Sequence, residues 1–311
     1  MVRVRVPATT ANMGPGYDTL GMALNLNNYV EIVAGQKIAD NPADKQIISE
    51  INIRNKSLQI DLKKEDDLVR QTLKLLSQYT GVELSGVKIK ESLIARPAQG
   101  LGSSAAAIVG TLLAANEFFQ LNLARQELRL LACRLEGHPD NVIAAMEGGL
   151  TVSTFSPAEE VLIWEKVKPH KKFKAVIVIP ELTSITEVQR SAVPDRFGKE
   201  DMIFNLGRTA LLSLAIRSGN EEKIGKLMKD RIHQPYRCSN IPGWEDVVEA
   251  GYRAGALGIA LSGAGPSIFA LTRGSSESVG EAMVNVWREI DISADYFLTS
   301  PDNRGSYIEE E

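Results

Sequence analysis

The 311-residue chain predicts an α+β protein of two domains, and three observations carry that reading. Strand-like and helix-like runs follow one another without the regular βαβ alternation of a doubly wound sheet. The organisation changes midway, with helical runs prominent after Pro180 and a seam near Ser156-Pro157 that divides the chain into 1–156 and 157–311. Glycine-rich stretches punctuate the chain near its start, at one third of its length and near its end.

Taken in order, Val2, Val4 and Val6 alternate with Arg3 and Arg5, which predicts a half-buried strand ended by Pro7. The run from Pro7 to Gly21, rich in Gly, Pro, Asn and Asp, reads as a loop, either a plain hairpin connection or a binding loop. Further strands are expected at 28–34 and 47–53. Asp66 or Asp67 caps a helix running to about Tyr79, with Leu68, Thr72, Leu75, Leu76 and Tyr79 on its apolar face and Gly81 ending it. A strand at 87–93 leads into the central glycine-rich stretch, and the apolar run 108–115 behind it reads as a buried helix. Helices follow at 122–135 and 142–146, then strands at 150–155, 161–167 and 173–179. Beyond Pro180, helices at 183–192, 200–217, 221–229, 244–254 and 277–290 mix with strands at 257–261, 267–272 and 294–298.

Composition narrows the function. Net charge is −4, from 35 basic against 39 acidic residues, and no basic block marks a nucleic-acid partner. No apolar run approaches a membrane span, and the alternating 1–6 segment is not a signal-peptide core, so a cytoplasmic chain without membrane association is expected. The two cysteines, Cys133 and Cys238, make neither a disulfide framework nor a structural zinc site.

The stretch 96–107, Arg-Pro-Ala-Gln-Gly-Leu-Gly-Ser-Ser-Ala-Ala-Ala, is the strongest chemical signal. Two glycines let the backbone turn tightly and approach a ligand without a Cβ in the way. Two serines and the unpaired N–H groups of a new helix then face one spot, which suits a phosphate. The alternative is a simple turn with Ser103 or Ser104 as helix cap. A Walker loop fails for want of a Lys after the glycines. The dinucleotide pattern GxGxxA is matched by Gly100, Gly102 and Ala105, but Lys88, Lys90 and Glu91 interrupt the apolar strand that should lead into it, and Pro97 sits in a connecting loop.

Pro97 to Ala107 resembles the central motif of the GHMP kinases. Pro7 to Asp18 resembles their N-terminal motif, and Leu261 to Ser267 their C-terminal glycine motif, in the same order along the chain. The first motif lacks the basic residue and Gly-Glu-His signature of mevalonate kinases and galactokinases. With Glu136-Gly137-His138-Pro139-Asp140-Asn141 it is similar to the homoserine kinase family instead.

The resemblance implies a two-domain GHMP kinase fold, with an N-terminal ATP-binding α+β domain and a C-terminal ferredoxin-like α+β domain. It implies ATP-dependent phosphorylation of the side-chain hydroxyl of L-homoserine to O-phospho-L-homoserine, in threonine biosynthesis, with ATP and Mg²⁺ as cofactors and a homodimer as the common assembly. Residue by residue, it assigns Pro97, Ala98, Gln99, Gly100, Leu101, Gly102, Ser103, Ser104, Ala105, Ala106 and Ala107 to the nucleotide, and Ser104 and Glu136 to Mg²⁺. Asn12, Asp18, Asn141 and Thr186 would line the amino-acid pocket, Asp18 opposing the ammonium. Arg190 and Arg237 would clamp the carboxylate, for which a planar guanidinium fork is suited. Asp140 would act as general base, or Asn141 would orient the hydroxyl while a phosphate oxygen takes the proton. His138 reads as structural. The alternatives left open are a kinase for another small hydroxy acid, a non-catalytic GHMP-like sensor, and a nicotinamide-dependent oxidoreductase resting on GxGxxA alone.

Overall fold

The computed structural model describes residues 1–34, 48–53, 56–57, 67–182, 189, 191–274 and 276–310. Its first sheet is built on a long antiparallel hairpin of β1 (Val2–Asn12) and β2 (Gly16–Ala34). Pro7 does not end β1, contrary to the sequence expectation. It pairs with Asn27 beside a register shift between Pro7 and Ala8, and a bulge is where a strand tolerates a residue without an N–H. The expected loop at 7–21 therefore shrinks to the turn Met13-Gly14-Pro15.

Beyond β2 the sheet continues through β5 (Val87–Leu93) to β3 (Ile48–Ile53), parallel to β5, and the short β4 (Lys56–Ser57). A second hairpin, β6 (Leu150–Ser156) and β7 (Val161–Val167), joins through β2. Ser156-Pro157 thus lies at the turn within one sheet, and the change of sheet comes after Val167.

Helices α1 (Leu68–Thr80), α2 (Ser103–Phe118), α3 (Arg125–Glu136) and α4 (Asp140–Glu147) share one apolar core with this sheet. Helix α2 is apolar on every side and buried continuously from Ala105 to Ala115, as an all-round apolar helix must be. Each fully buried Leu or Ile on it, such as Leu112 or Ile108, contributes about 1.5–3 kcal/mol. Helix α1 starts where Asp67 accepts from the N–H groups of Val69 and Arg70 and stops at left-handed Gly81.

The second sheet is antiparallel, ordered β11 (Ala294–Thr299), β8 (Phe173–Pro180), β10 (Ile268–Arg273), β9 (Gly258–Leu261). The near-continuous apolar run of β8 follows from burial of both its faces. Val176 and Val178 pack towards α8 (Trp244–Arg253) and α9 (Glu277–Glu289), around Trp287. Ala175, Ile177 and Ile179 pack towards α5 (Lys199–Ser218) and α6 (Glu221–Leu227). That second core also takes in Met13, Leu20, Met22 and Leu24 of the first hairpin and Leu101 of the central loop, so one apolar mass joins the two sheets.

The chain then returns to the first sheet. Strand β12 (Tyr307–Ile308) pairs with Val4 and Arg5 of β1, and buried Arg5 pairs with buried Asp302. The helix expected at 183–192 falls mostly outside the described residues. Among those described, no helix is long and apolar enough to cross a membrane.

Candidate active site at the meeting of three glycine-rich stretches

The three stretches separated in sequence are stitched together in space. The N–H of Gly263 donates to the Ala11 carbonyl at 3.2 Å, and Thr9 N–H to the Leu101 carbonyl at 3.2 Å. The Ser262 hydroxyl lies 2.6 Å from the Gly100 carbonyl and 2.9 Å from Thr10 Oγ1. The Asn12 amide donates to the Gly263 carbonyl at 2.9 Å and accepts from Asp18 N–H at 3.0 Å.

Close approach demands the glycines. Gly102 has φ 64° and Gly100 φ 78°. A Cβ on the first would collide with Thr9 Oγ1, and on the second with the Ser262 carbonyl. Gly102 is also the N-cap of α2 and offers no side chain to cap it. The first N–H groups of a long buried helix are thereby left for a ligand, with the positive end of its dipole.

Around this junction lies a cavity of about 540 Å³. Pro97, Ala98, Gly100, Gly102, Ser103, Ser104 and Ala107 line it. Leu101, Ala105 and Ala106 turn instead into the apolar cores, and the Gln99 side chain accepts from Arg96 N–H at 3.2 Å. Asn12, Asp18, Asn141 and Arg237 also face the cavity, as do Glu136 and Asp140. Thr186 and Arg190 lie outside the described residues.

Residues 136–141 carry the densest chemistry. Ser104 donates to Glu136 Oε1 at 2.6 Å, joining the first turn of α2 to the last residue of α3. Asp140 Oδ1 receives His138 Nδ1 at 2.5 Å and Asn141 N–H at 2.7 Å. Asn141 Oδ1 in turn accepts from Thr9 at 2.7 Å. Asp18, His138 and Asp140 bring ligand-type atoms within 4.8 Å of one another. Burial alone would depress the imidazole of His138, but the charge of Asp140, its hydrogen bond, and the charges of Glu136 and Asp18 outweigh it and raise the pKa to about 9. His138 is therefore a cation among carboxylates, a role the sequence reading missed because it depends on how the 136–141 turn brings Asp140 and Glu136 against the ring, with Asp18 of the first hairpin beside them.

Arg237 ends the short helix α7 (Gln234–Arg237) and is 2% exposed. Its Nε donates to the Gln189 carbonyl at 2.9 Å, Nη1 to the Gly263 carbonyl at 3.4 Å, and Nη2 to the Tyr17 hydroxyl at 3.4 Å. The same segment latches the first turn. His233 Nε2 donates to the Gly14 carbonyl at 2.8 Å, and its ring stacks on Tyr17. Asn205 and Thr209 of α5 both donate to the Pro15 carbonyl. Burial lowers the His233 pKa to about 4, which keeps the ring neutral. Thr9, His233 and Asn205 are positioning residues that no local pattern announced.

Ser104 and Glu136 offer a hydroxyl and a carboxylate, both hard oxygen donors. That set fits Mg²⁺, which keeps several waters and takes few protein oxygens.

Comparison with known proteins follows the same lines. The family model for the GHMP kinases N terminal domain matches residues 67–149, and that for GHMP kinases C terminal matches 212–289. The homoserine kinase of Desulfitobacterium hafniense is 38% identical over 318 residues, covering 99% of this chain and 100% of its own. That of Halothermothrix orenii is 35% identical over 309 residues, covering 98% and 95%. The crystal structure of homoserine kinase from Cytophaga hutchinsonii superposes with a TM-score of 0.85 at 27% identity, covering 99% and 97%. Mevalonate kinase of Methanococcus jannaschii, at 21% identity and TM-score 0.66, shares the fold. With both family models matched in order and such identity along almost its whole length, the chain belongs to the GHMP kinases, in the family of the homoserine kinases.

Proposed function

We propose that this protein transfers the γ-phosphoryl group of ATP to the side-chain hydroxyl of L-homoserine, giving O-phospho-L-homoserine in the cytoplasmic synthesis of threonine. The observation that carries the reading is one cavity holding both an uncapped helix N-terminus at Gly102 to Ser104 and a buried guanidinium at Arg237. The first suits phosphate, the second an amino-acid carboxylate.

In this reading the backbone from Pro97 to Ala107 cradles the nucleotide, which in GHMP kinases is ATP. Ser104 and Glu136 hold Mg²⁺, which when bound neutralises charge on the transferring phosphoryl group. Arg237 and Arg190 take the substrate carboxylate, Asp18 the ammonium, and Thr186 lines the same pocket. Asn12 serves by clamping the first stretch to Gly263 and orienting the Asp18 backbone. Asp140, oriented by His138 and Asn141, stands ready to take the hydroxyl proton.

The proposed domains are 1–156 and 157–311, the change of sheet itself lying after Val167. A stripe of exposed apolar residues on α5, Met202, Ile203, Leu206 and Leu214, supports a homodimer, which sedimentation of the purified chain checks. Turnover of homoserine against other hydroxylated substrates tests the function itself.

A further inference from the structure

The inward register of β5 holds an anomaly. Val87, Ile89, Glu91 and Leu93 are all buried, while Lys88 and Lys90 between them are half-buried. A strand with one face in a core fills its inward positions with apolar side chains. Glu91 instead places there a carboxyl that is 4% exposed.

That carboxyl lines the cavity, beside Ile51 of β3, Asp67 and Leu68 at the head of α1, and Leu93. These elements supply none of the residues assigned to homoserine; those of them that lie among the described residues come from the first hairpin, α4 and α7. Asp67 is already engaged, accepting from the N–H groups of Val69 and Arg70 and from the Arg70 guanidinium. Glu91 has no hydrogen-bond partner among the described residues. A buried polar side chain is hydrogen-bonded as a rule, so an unpartnered one in a cavity wall points to a ligand.

Burial, and then the charge of Asp67, push the Glu91 pKa up to about 8. Near neutral pH the group is a carboxylic acid, offering one O–H donor and one C=O acceptor side by side. Ile51, its register partner on β3, and Leu68 and Leu93 give the same cavity wall an apolar lining. Adenine presents the matching pair on one edge, an exocyclic N–H and a neighbouring ring nitrogen.

We propose that Glu91 is the base-reading residue of the nucleotide site, its C=O accepting from the exocyclic amine of adenine and its O–H donating to the adjacent ring nitrogen. The assignment deepens the kinase reading above and rests on this cavity being its nucleotide site.

The test compares binding of ATP and of purine riboside 5′-triphosphate, which lacks the amine, by calorimetry without homoserine. Wild type should bind ATP about tenfold more tightly than the analogue, the scale of one buried hydrogen bond. Glu91→Gln should keep that ratio, because an amide offers the same donor and acceptor. Glu91→Leu should bind the two nucleotides equally, with ATP affinity down about tenfold. A general structural defect would weaken both ligands alike and leave the ratio unchanged. The proposal is overturned if Glu91→Leu retains the wild-type ratio. It is equally overturned, with no variant needed, if wild type binds the two nucleotides alike. Homoserine turnover is a separate readout: discrimination between the nucleotides without phosphorylation of homoserine supports the Glu91 assignment and sinks only the substrate reading.

Discussion

The Thr9 hydroxyl donates to Asn141 Oδ1 at 2.7 Å, and these two side chains close the space into which any side chain at position 102 would project. Two costs therefore meet at Gly102. Its φ of 64° is left-handed, which costs an L-residue about 1–2 kcal/mol and a β-branched one more. A Cβ would also displace Thr9 and release Asn141. Gly102→Val should lower ATP affinity by more than about tenfold and lower Tm, while most of the fold survives. Nucleotide titration of the folded variant decides it; unchanged affinity would remove the phosphate-loop assignment.

The Ser104–Glu136 contact leads to a prediction about metal. Glu136→Gln keeps the shape and loses the charge, so turnover should fall and the Mg²⁺ concentration for half-maximal rate should rise. Homoserine KM should change little. An unaltered Mg²⁺ dependence would send the ligand elsewhere, first to Asp140.

Arg237→Leu should raise homoserine KM and lower kcat/KM, by about 2–5 kcal/mol in transition-state binding. ATP affinity should hold. Because Nε and Nη1 also bond the Gln189 and Gly263 carbonyls, the variant loosens the wall as well as the clamp. The cleaner readout is a homoserine analogue with its carboxylate amidated. Wild type should reject the amide, and Arg237→Leu should treat acid and amide nearly alike. Full discrimination by the variant would show that the carboxylate is read elsewhere.

Glu91 ties stability to pH. An unfolded chain loses this proton near 4.5, whereas the native chain holds it to about 8. Between those values the native state binds the extra proton, so stability falls as pH rises across the window. Asp67, the charge that acts on Glu91, is itself paired with Arg70. The loss amounts to something on the order of 4 kcal/mol. Glu91→Gln should flatten the fall and be the more stable protein at pH 8, as denaturant midpoints at pH 5 and 8 would show. Parallel midpoint curves for the two proteins would contradict it.

How much of this was legible depends on how local each cause is. The strand-like runs at 87–93 and 161–167 place β5 and β7 to the residue, because each run's composition is written in its own sequence. The glycine stretches were equally readable as turns. Pro7 misled, since the bulge that accommodates it depends on β2. Strand β12 is two residues long and owes its existence to Val4 and Arg5, at the other end of the chain. Thr9 and His233 take their roles from partners on other elements, and His138 from the way the turn at 136–141 folds Asp140 onto its ring. Glu91 did leave a signal: it shares the parity of Val87, Ile89 and Leu93, although it reads at first as one of three charges interrupting a strand.

The most direct test of the account is the reaction. Purified wild type with ATP and Mg²⁺ should release ADP with homoserine at a rate at least about tenfold above that with mevalonate, galactose or serine, a gap of about 1.4 kcal/mol in transition-state binding. The homoserine product should carry its phosphate on the side-chain oxygen. Equal rates across the panel, or ADP release indifferent to homoserine, would contradict it.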